Sequence, residues 1–199
     1  MFLPFSKPHI DQAAIDEVVA CLKSGWITTG PRTQQFETML GNYLQAPHAL
    51  TLVSATAGLH LTLLALKLQP GDEVITTSMT FVASLNTIAI AGGRPVLVDI
   101  DPHTYNMAIH LIEDAITPRT RAIMPVHFAG LPVDLDPIYA LAKKHNLPVI
   151  EDAAQAIGTR YKNKLIGSFG DTQVFSFHPT KGMTTGEGGC VTTRDDDLA

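Results

Sequence analysis

The feature that most constrains the fold is a repeated alternation of short apolar runs with longer stretches of helical periodicity, from residue 48 onwards. The apolar runs are nearly continuous, which is typical of strands that helices cover on both faces. Turn signals such as Pro70-Gly71-Asp72 and Gly92-Gly93 separate the elements. The pattern predicts an α/β fold in which a mostly parallel sheet of about seven strands lies between helices.

The predicted strands cover residues 48–53, 73–76, 95–98, 120–126, 148–151, 172–177 and 189–193. The predicted helices cover residues 12–24, 32–44, 56–68, 81–91, 109–116 and 135–145. The first two helices precede the first strand. We therefore expect residues 1–45 to form a helical segment in front of the sheet.

Composition narrows the class of protein further. The chain has 199 residues, 45% of them hydrophobic and 17% charged, which fits a globular protein with one sizeable core. The net charge of -5, without a dense Lys/Arg block, argues against binding to nucleic acid or to an anionic membrane. The N-terminus lacks the features of a signal peptide, and the apolar stretches are too short and too polar to span a bilayer.

The two cysteines, Cys21 and Cys190, have no CxxC or Cys/His neighbourhood, so no metal site is expected. Two small buried hydrophobic residues in a reducing compartment are the simpler interpretation. Together with the N-terminus, this predicts a cytoplasmic protein.

Ligands of an open parallel sheet bind at the carboxyl ends of its strands, so the residues there are the candidates for function. After the first strand, Ser54-Ala55-Thr56-Ala57-Gly58 opens a helix. Small residues, free N–H groups and the positive end of the helix together suit a phosphate. A Ser or Thr before a helix is, however, more often a plain N-cap.

Two more polar residues follow strands at the same predicted edge. Asp152 follows the fifth strand, where it can hold a buried cation or can be only a helix cap. Lys181 follows the sixth, although a single lysine is usually a solvated surface residue. Pyridoxal phosphate (PLP) needs all three features: an amine for an imine, a carboxylate to keep its ring nitrogen protonated, and a phosphate site. The released amine can then carry a proton between carbon atoms.

On these residues, the sequence resembles the DegT/DnrJ/EryC1/StrS family of PLP-dependent sugar aminotransferases. Within it, the chain is most similar to the branch of UDP-4-amino-4-deoxy-L-arabinose–oxoglutarate aminotransferases. The matched segments are Phe2-Leu-Pro-Phe-Ser-Lys-Pro8, Ser24-Gly-Trp-Ile-Thr-Thr-Gly-Pro31, Ser54-Ala-Thr-Ala-Gly-Leu-His60, Gly71-Asp-Glu-Val-Ile-Thr76, Pro125-Val-His-Phe-Ala-Gly130, Glu151-Asp-Ala-Ala-Gln155 and Ser176-Phe-His-Pro-Thr-Lys181.

The resemblance implies a role for each candidate residue. Lys181 would form the Schiff base and Asp152 would pair with the pyridinium nitrogen. The other implied cofactor contacts are Gln155 on the ring hydroxyl, Phe81 stacked on the ring, and Ala55, Thr56 and Ser176 on the phosphate. The implied substrate contacts are Trp26, Thr28, Thr29 and His178.

Several of these residues have a structural alternative. Phe81 can equally be a core residue, and Trp26 can be a hydrophobic anchor for its loop. For His178 we expect a structural hydrogen bond rather than proton transfer, and His127 is interpreted as a structural histidine.

Two departures from the family pattern are visible. Gly182 stands where asparagine often follows the lysine, which gives the loop more conformational freedom. Family members also continue into a smaller C-terminal domain and form homodimers with shared active sites. We therefore expect residues 1–199 to be a PLP-binding large domain, without the small domain.

The predicted reaction moves an amino group from an amino acid, with L-glutamate expected, to a nucleotide-linked keto-sugar, with a UDP-4-keto sugar expected. Such a reaction serves polysaccharide biosynthesis or lipopolysaccharide modification. One alternative is another PLP enzyme on this scaffold, such as a desulfurase or an aldolase. A sugar dehydratase is disfavoured, because the dehydratases of this family carry histidine in place of Lys181. A third possibility is a non-catalytic module for PLP binding or association.

Overall fold

The computed structural model describes residues 3, 4 and 6–199, so Phe2 and Phe5 of the first matched segment lie outside the described residues. The elements, in chain order, are α1 (Gln12–Ser24), α2 (Pro31–Leu44), β1 (His48–Leu52), α3 (Ala55–Ala65), β2 (Glu73–Thr77), α4 (Ala83–Ile90), β3 (Arg94–Val98), α5 (Ile112–Ala115), β4 (Thr120–Ile123), α6 (Leu135–His145), β5 (Ile150–Asp152), β6 (Arg160–Tyr161), β7 (Lys164–Leu165), β8 (Thr172–Ser176) and β9 (Gly189–Thr193).

The main sheet has the strand order β3-β2-β4-β5-β8-β9-β1. Ladders join β3, β2 and β4 on one side and β5, β8, β9 and β1 on the other. Two parallel bridges, Ile123 to Val149 and Val126 to Asp152, connect the two groups. Within the described residues, β9 is the strand of this sheet that runs antiparallel to both of its neighbours. The expectation of a mostly parallel sheet of seven strands is confirmed.

Helices cover both faces of the sheet, and the alternation of side chains along each strand divides the core in two. On one face, Ile75, Ile123 and Phe175 pack with buried residues of α2, α5 and α6. On the other face, Val74 and Val174 pack with buried residues of α3 and α4. This alternation also directs Asp152 and Ser176 towards the face of α3 and α4, two positions after Ile150 and Val174.

The predicted elements agree closely with the observed ones. All seven predicted strands are present, and the helix predicted over residues 109–116 is a short 3-10 turn followed by α5. The hairpin of β6 and β7 was not predicted, because each strand has only two residues. Lys162 and Asn163 form its turn with positive φ angles.

Helix α1 begins and ends at ordinary capping residues. Asp11 caps α1 by accepting a hydrogen bond from Ala14 N at 2.8 Å, and Gly25 ends it in the left-handed conformation. Helix α1 has no buried residue in this chain, whereas α2 buries Leu40 and Leu44.

Among the described residues, no helix combines the length and apolar character needed to cross a membrane.

Candidate active site

A cleft of about 380 Å³ opens at the carboxyl ends of the parallel strands β1, β2, β4, β5 and β8. Its walls combine polar groups from segments that are far apart in the sequence. The predicted site residues that line it are Ala55, Thr56, Phe81, Asp152, Gln155, Ser176, His178 and Lys181. The amine, the acid and the helix N-terminus predicted from sequence are therefore brought to one cavity.

The N-terminus of α3 forms one wall of the cleft. Ser54 precedes the helix, and its Oγ accepts a hydrogen bond from Ala57 N at 3.1 Å. Gly189 at the start of β9 lies directly against this turn, since a Cβ on Gly189 would be 2.4 Å from the carbonyl carbon of Ser54 and 2.5 Å from Ala55 N. The close packing fixes the first turn of α3, whose amides suit an anion.

Asp152 supplies a buried carboxylate at the end of β5, with 5% of its surface exposed. Ser84 Oγ donates to Oδ2 at 2.7 Å, and Ala154 N donates to Oδ1 at 3.1 Å. Burial raises the pKa of Asp152, and the hydrogen bonds from Ser84 and Ala154, the largest opposing effects, offset the shift only in part. A positive group beside this carboxylate would therefore stabilise its ionised form.

Lys181 reaches the cleft from the turn that follows β8. Pro179 cannot continue the strand, and Lys181 N donates to His178 O at 2.9 Å, which closes the turn. The Lys181 side chain is half-buried and lines the same cavity as Asp152. Ser176 lies at the end of β8, where its Oγ accepts a hydrogen bond from His178 N at 3.3 Å.

The two remaining predicted cofactor contacts also border the cleft. Gln155 Oε1 accepts a hydrogen bond from Ala129 N at 2.6 Å, which fixes the direction of its side chain. Phe81 lies just before α4 and is 71% exposed. Core packing of Phe81 is thereby excluded in this chain, and its ring is free to cover a flat ligand.

The four predicted substrate contacts divide into two groups. His178 lines the cleft, and its Nδ1 lies 2.9 Å from Thr180 Oγ1, which fits the expected structural hydrogen bond. Trp26, Thr28 and Thr29 do not line the cleft formed by this chain. Trp26 Nε1 instead donates to Thr29 O at 3.0 Å, so the indole holds its own loop. The assignment of these residues to substrate stays a prediction.

Sequence reasoning missed two residues of the site. Ser84 was not among the predicted site residues, yet its Oγ donates a hydrogen bond to Asp152 Oδ2 and lies 2.7 Å from Thr80 Oγ1. The sequence carried no signal for the contact with Asp152, because Ser84 in α4 and Asp152 in β5 meet only in the folded chain. His127 was interpreted as structural, and its ring both makes buried hydrogen bonds and lines the cleft.

Comparison with known proteins now identifies the class. The model of the DegT/DnrJ/EryC1/StrS aminotransferase family matches residues 8–199. The chain belongs to this family, and the resemblance inferred from the sequence motifs is confirmed.

Individual relatives extend the comparison. An uncharacterized protein of Methanocaldococcus jannaschii is 52% identical over 198 residues, which are 100% of this chain and 51% of that protein. Spr1654 of Streptococcus pneumoniae, provisionally assigned as a sugar aminotransferase, superposes in its PMP form with a TM-score of 0.94 at 41% identity, over 100% of this chain and 53% of its own. The same protein in its PLP form gives a TM-score of 0.93 at 42% identity, over 99% and 54%.

PseC of Helicobacter pylori, an aminotransferase involved in the biosynthesis of pseudoaminic acid, has a TM-score of 0.94 at 36% identity. That match covers 98% of this chain and 53% of PseC. These proteins establish the fold-type-I architecture of the sheet. The chain spans about half the length of the relatives it matches.

Proposed function

We propose that this chain binds PLP in the cleft and contributes the cofactor-binding part of a sugar aminotransferase. The single observation that carries the proposal is the meeting of Lys181, Asp152 and the N-terminus of α3 around one cavity. Each group has a different chemical task, and PLP needs all three.

The residues present fit the cofactor's three functional groups. The first turn of α3, with Ala55 and Thr56, would take the phosphate, and Ser176 would add a hydroxyl. Burial raises the pKa of Asp152. A protonated ring nitrogen beside its carboxylate would supply a positive charge and stabilise the ionised form. Phe81 would cover one face of the ring, and Gln155 would bond to its hydroxyl.

The bound cofactor supplies an electron sink that stabilises the negative charge formed when the amino donor loses a proton. Lys181 would hold the cofactor through its amine, and the same amine, which lines the cleft with Asp152, would move the proton at the donor's α-carbon. Asp152 would hold the ring nitrogen in its protonated form. The small residues of the cleft would orient the donor without filling the cavity.

The finer identity of the substrates belongs to the proposal as well. We propose L-glutamate as the donor and a nucleotide-linked keto-sugar, with a UDP-4-keto sugar first, as the acceptor. The family and the sugar aminotransferases among the structural neighbours support an amino-group transfer to a sugar. Trp26, Thr28 and Thr29 would then contact the sugar, in a homodimer with shared active sites. Use in polysaccharide or lipopolysaccharide synthesis and a cytoplasmic location complete the proposal.

A desulfurase on this scaffold is the main alternative, and it needs a mobile, reactive cysteine. Cys190 is fully buried in β9, where burial raises the pKa of its thiol to about 12. Cys21 is half-buried, and its Sγ lies 3.4 Å from Trp26 O. Neither thiol has the properties of a catalytic nucleophile.

Incubation of the PLP-loaded protein with L-glutamate tests the proposal. Formation of pyridoxamine phosphate and 2-oxoglutarate is expected. In a parallel incubation with L-cysteine, release of sulfide would overturn the assignment to transamination.

Size-exclusion chromatography with and without PLP tests the non-catalytic alternative. Protein that binds PLP or self-associates, but forms no pyridoxamine phosphate with L-glutamate, would favour that alternative.

A further inference from the structure

A second buried carboxylate, Glu151, lies next to Asp152 in β5 but on the opposite face of the sheet. Its side chain is fully buried among residues of the α6 side. A charge in such a place is costly unless hydrogen bonds satisfy it. The partners of Glu151 therefore indicate what the charge is used for.

Three donors converge on the two oxygens of Glu151. Tyr139 OH and Gln173 Nε2 donate to Oε1, both at 2.7 Å, and His127 Nε2 lies 2.8 Å from Oε2. Gln173 is itself fixed, because its Oε1 accepts a hydrogen bond from Thr192 Oγ1 at 2.9 Å. Glu151 is thus the centre of a rigid buried network that ends at His127.

The other nitrogen of His127 decides the tautomer of the ring. Val133 N donates to Nδ1 at 3.2 Å, so Nδ1 must carry a lone pair rather than a proton. The proton then resides on Nε2 and points at Glu151. The ring is therefore neutral, and it borders the same cleft as Asp152.

We propose that Glu151 and His127 are positioning residues: the buried Glu151 carboxylate orients the His127 ring so that it closes the cleft beside Asp152 with an uncharged surface. This inference rests on the proposed PLP site. A neutral ring cannot act as the cation of Asp152, so the carboxylate stays available for the ring nitrogen of the cofactor. An imidazolium at this place would compete with that nitrogen.

The charged and titratable groups around the ring agree with this arrangement. Glu151 in β5 contacts the His127 ring, and Tyr139 in α6 contacts Glu151. Asp152 in β5 and Lys181 in the turn after β8 line the cleft that the ring borders. A carboxylate can satisfy three donors, because each oxygen accepts more than one hydrogen bond. An amide in its place has a single acceptor oxygen, so at least one donor would lose its partner.

Glu151→Gln therefore tests the inference, with Tyr139→Phe as the matched control. Tyr139→Phe removes one donor to Glu151 but leaves both hydrogen bonds of His127 intact. Two measurements apply to both variants: the ¹⁵N NMR signals of His127 in the cofactor-free chain, and the dissociation constant for PLP. The wild-type and Tyr139→Phe chains should show one tautomer, with the proton on Nε2.

In Glu151→Gln we expect loss of the single-tautomer signature and PLP binding weakened about tenfold, as is typical when a residue that orients a ligand-contacting group is removed. Unchanged His127 signals together with wild-type PLP affinity would overturn the inference. Equal damage from Tyr139→Phe would also overturn it, because the network would then be only structural. If the proposed function itself fails, the wild-type chain will not bind PLP, while the NMR comparison still decides whether Glu151 orients His127.

A second pair of variants applies if Glu151→Gln does not fold. His127→Gln retains an N–H for Glu151 and an oxygen for Val133 N, whereas His127→Ala retains neither. PLP affinity close to wild type in His127→Gln and a clear loss in His127→Ala are expected. Equal affinities in the two variants would contradict a positioning role for His127.

Discussion

Asp152 and Glu73 are both buried carboxylates, but Asp152 lies at the C-terminal end of its strand and Glu73 at the N-terminal end. The charges of the groups around them differ. Glu73 begins β2 and is fully buried, with Arg94 and Arg119 bonded to its Oε1 and Thr117 Oγ1 donating to Oε2 at 2.6 Å. The hydrogen bond from Thr117, followed by that from Arg94, lowers the pKa of Glu73. Asp152 receives two neutral hydrogen bonds, and burial raises its pKa.

The difference distinguishes a carboxylate that stabilises the fold from one that awaits a ligand. Glu73 obtains its cations from the chain itself, so its charge is compensated as soon as the protein folds. Asp152 lies in a cleft, and among the residues that the structure describes no cationic side chain forms an ion pair with it. Uncompensated burial of this kind is typical of functional sites.

Asp152→Asn tests the functional carboxylate of this pair and should have the largest effect of the variants, on the rate of the reaction with L-glutamate. The amide cannot hold the ring nitrogen of PLP in its protonated form, so the reaction of PLP-loaded protein with L-glutamate should slow by about 100-fold or more. The cofactor-free protein should keep its melting temperature, because the variant no longer buries an ionisable acid. Stopped-flow spectroscopy and thermal melts check the two parts, and a normal rate would contradict the assigned role.

Gly189→Ala should distort the wall of the cleft that the first turn of α3 forms, by displacing its backbone. The new Cβ would collide with the peptide between Ser54 and Ala55, which must shift, at a cost of about 1–3 kcal/mol in stability. We expect weaker PLP binding as well, since the phosphate wall moves with this peptide. Gly182→Ala is the control, because its Cβ would meet Ile157 Cγ2 at 3.6 Å, an ordinary contact. Equal stability of the two variants in urea would refute the close packing.

Glu73→Gln should affect stability and leave PLP binding unchanged. Loss of the charge-assisted hydrogen bonds should cost about 1–3 kcal/mol near neutral pH, with the lower end favoured because both arginines are largely exposed. Since folding lowers the pKa of Glu73 from 4.5, this stabilisation is present above pH 4.5 and is lost as the pH falls through the folded-state pKa. Urea titrations across that range should show the two proteins converging in acid, and a constant difference would argue against ionised Glu73.

Ser84→Ala should have the smallest effect and sharpens the account of Asp152. Removing the 2.7 Å hydrogen bond to Oδ2 leaves the carboxylate less satisfied, so its pKa should rise further. PLP affinity should fall about two- to tenfold, from roughly 0.5–1.5 kcal/mol for one hydrogen bond. Thr87→Val is the control, since the Thr87 hydroxyl bonds only to carbonyls of its own helix. Identical affinities would remove Ser84 from the site.

Much of this arrangement could be predicted from the sequence, because the periodicity of the apolar runs reports burial directly. The strands and the residues that follow them were located, and the rule for open sheets brought Thr56, Asp152 and Lys181 to one edge. The hydrogen bonds that tune these groups could not be predicted. Ser84 in α4 contacts Asp152 in β5, and Glu151 contacts residues of α6 and β8. A single sequence does not show which residues of two such elements lie opposite each other.

Other outcomes depended on surface exposure, which the pattern of residues does not determine. Phe81 looked equally suited to the core and to a ligand, and only its exposed position before α4 separates the two. Trp26 belongs to a loop whose own hydrogen bond, from Nε1 to Thr29 O, accounts for its orientation in this chain. Its contact with the sugar stays a proposal.

The most direct test of the account is borohydride reduction of the protein in the presence of PLP, followed by peptide mapping. The PLP label should appear on the peptide that contains Lys181, and it should be absent after Lys181→Ala. A label on a different lysine, or none on the wild-type chain, would contradict the proposal that this cleft binds the cofactor through Lys181.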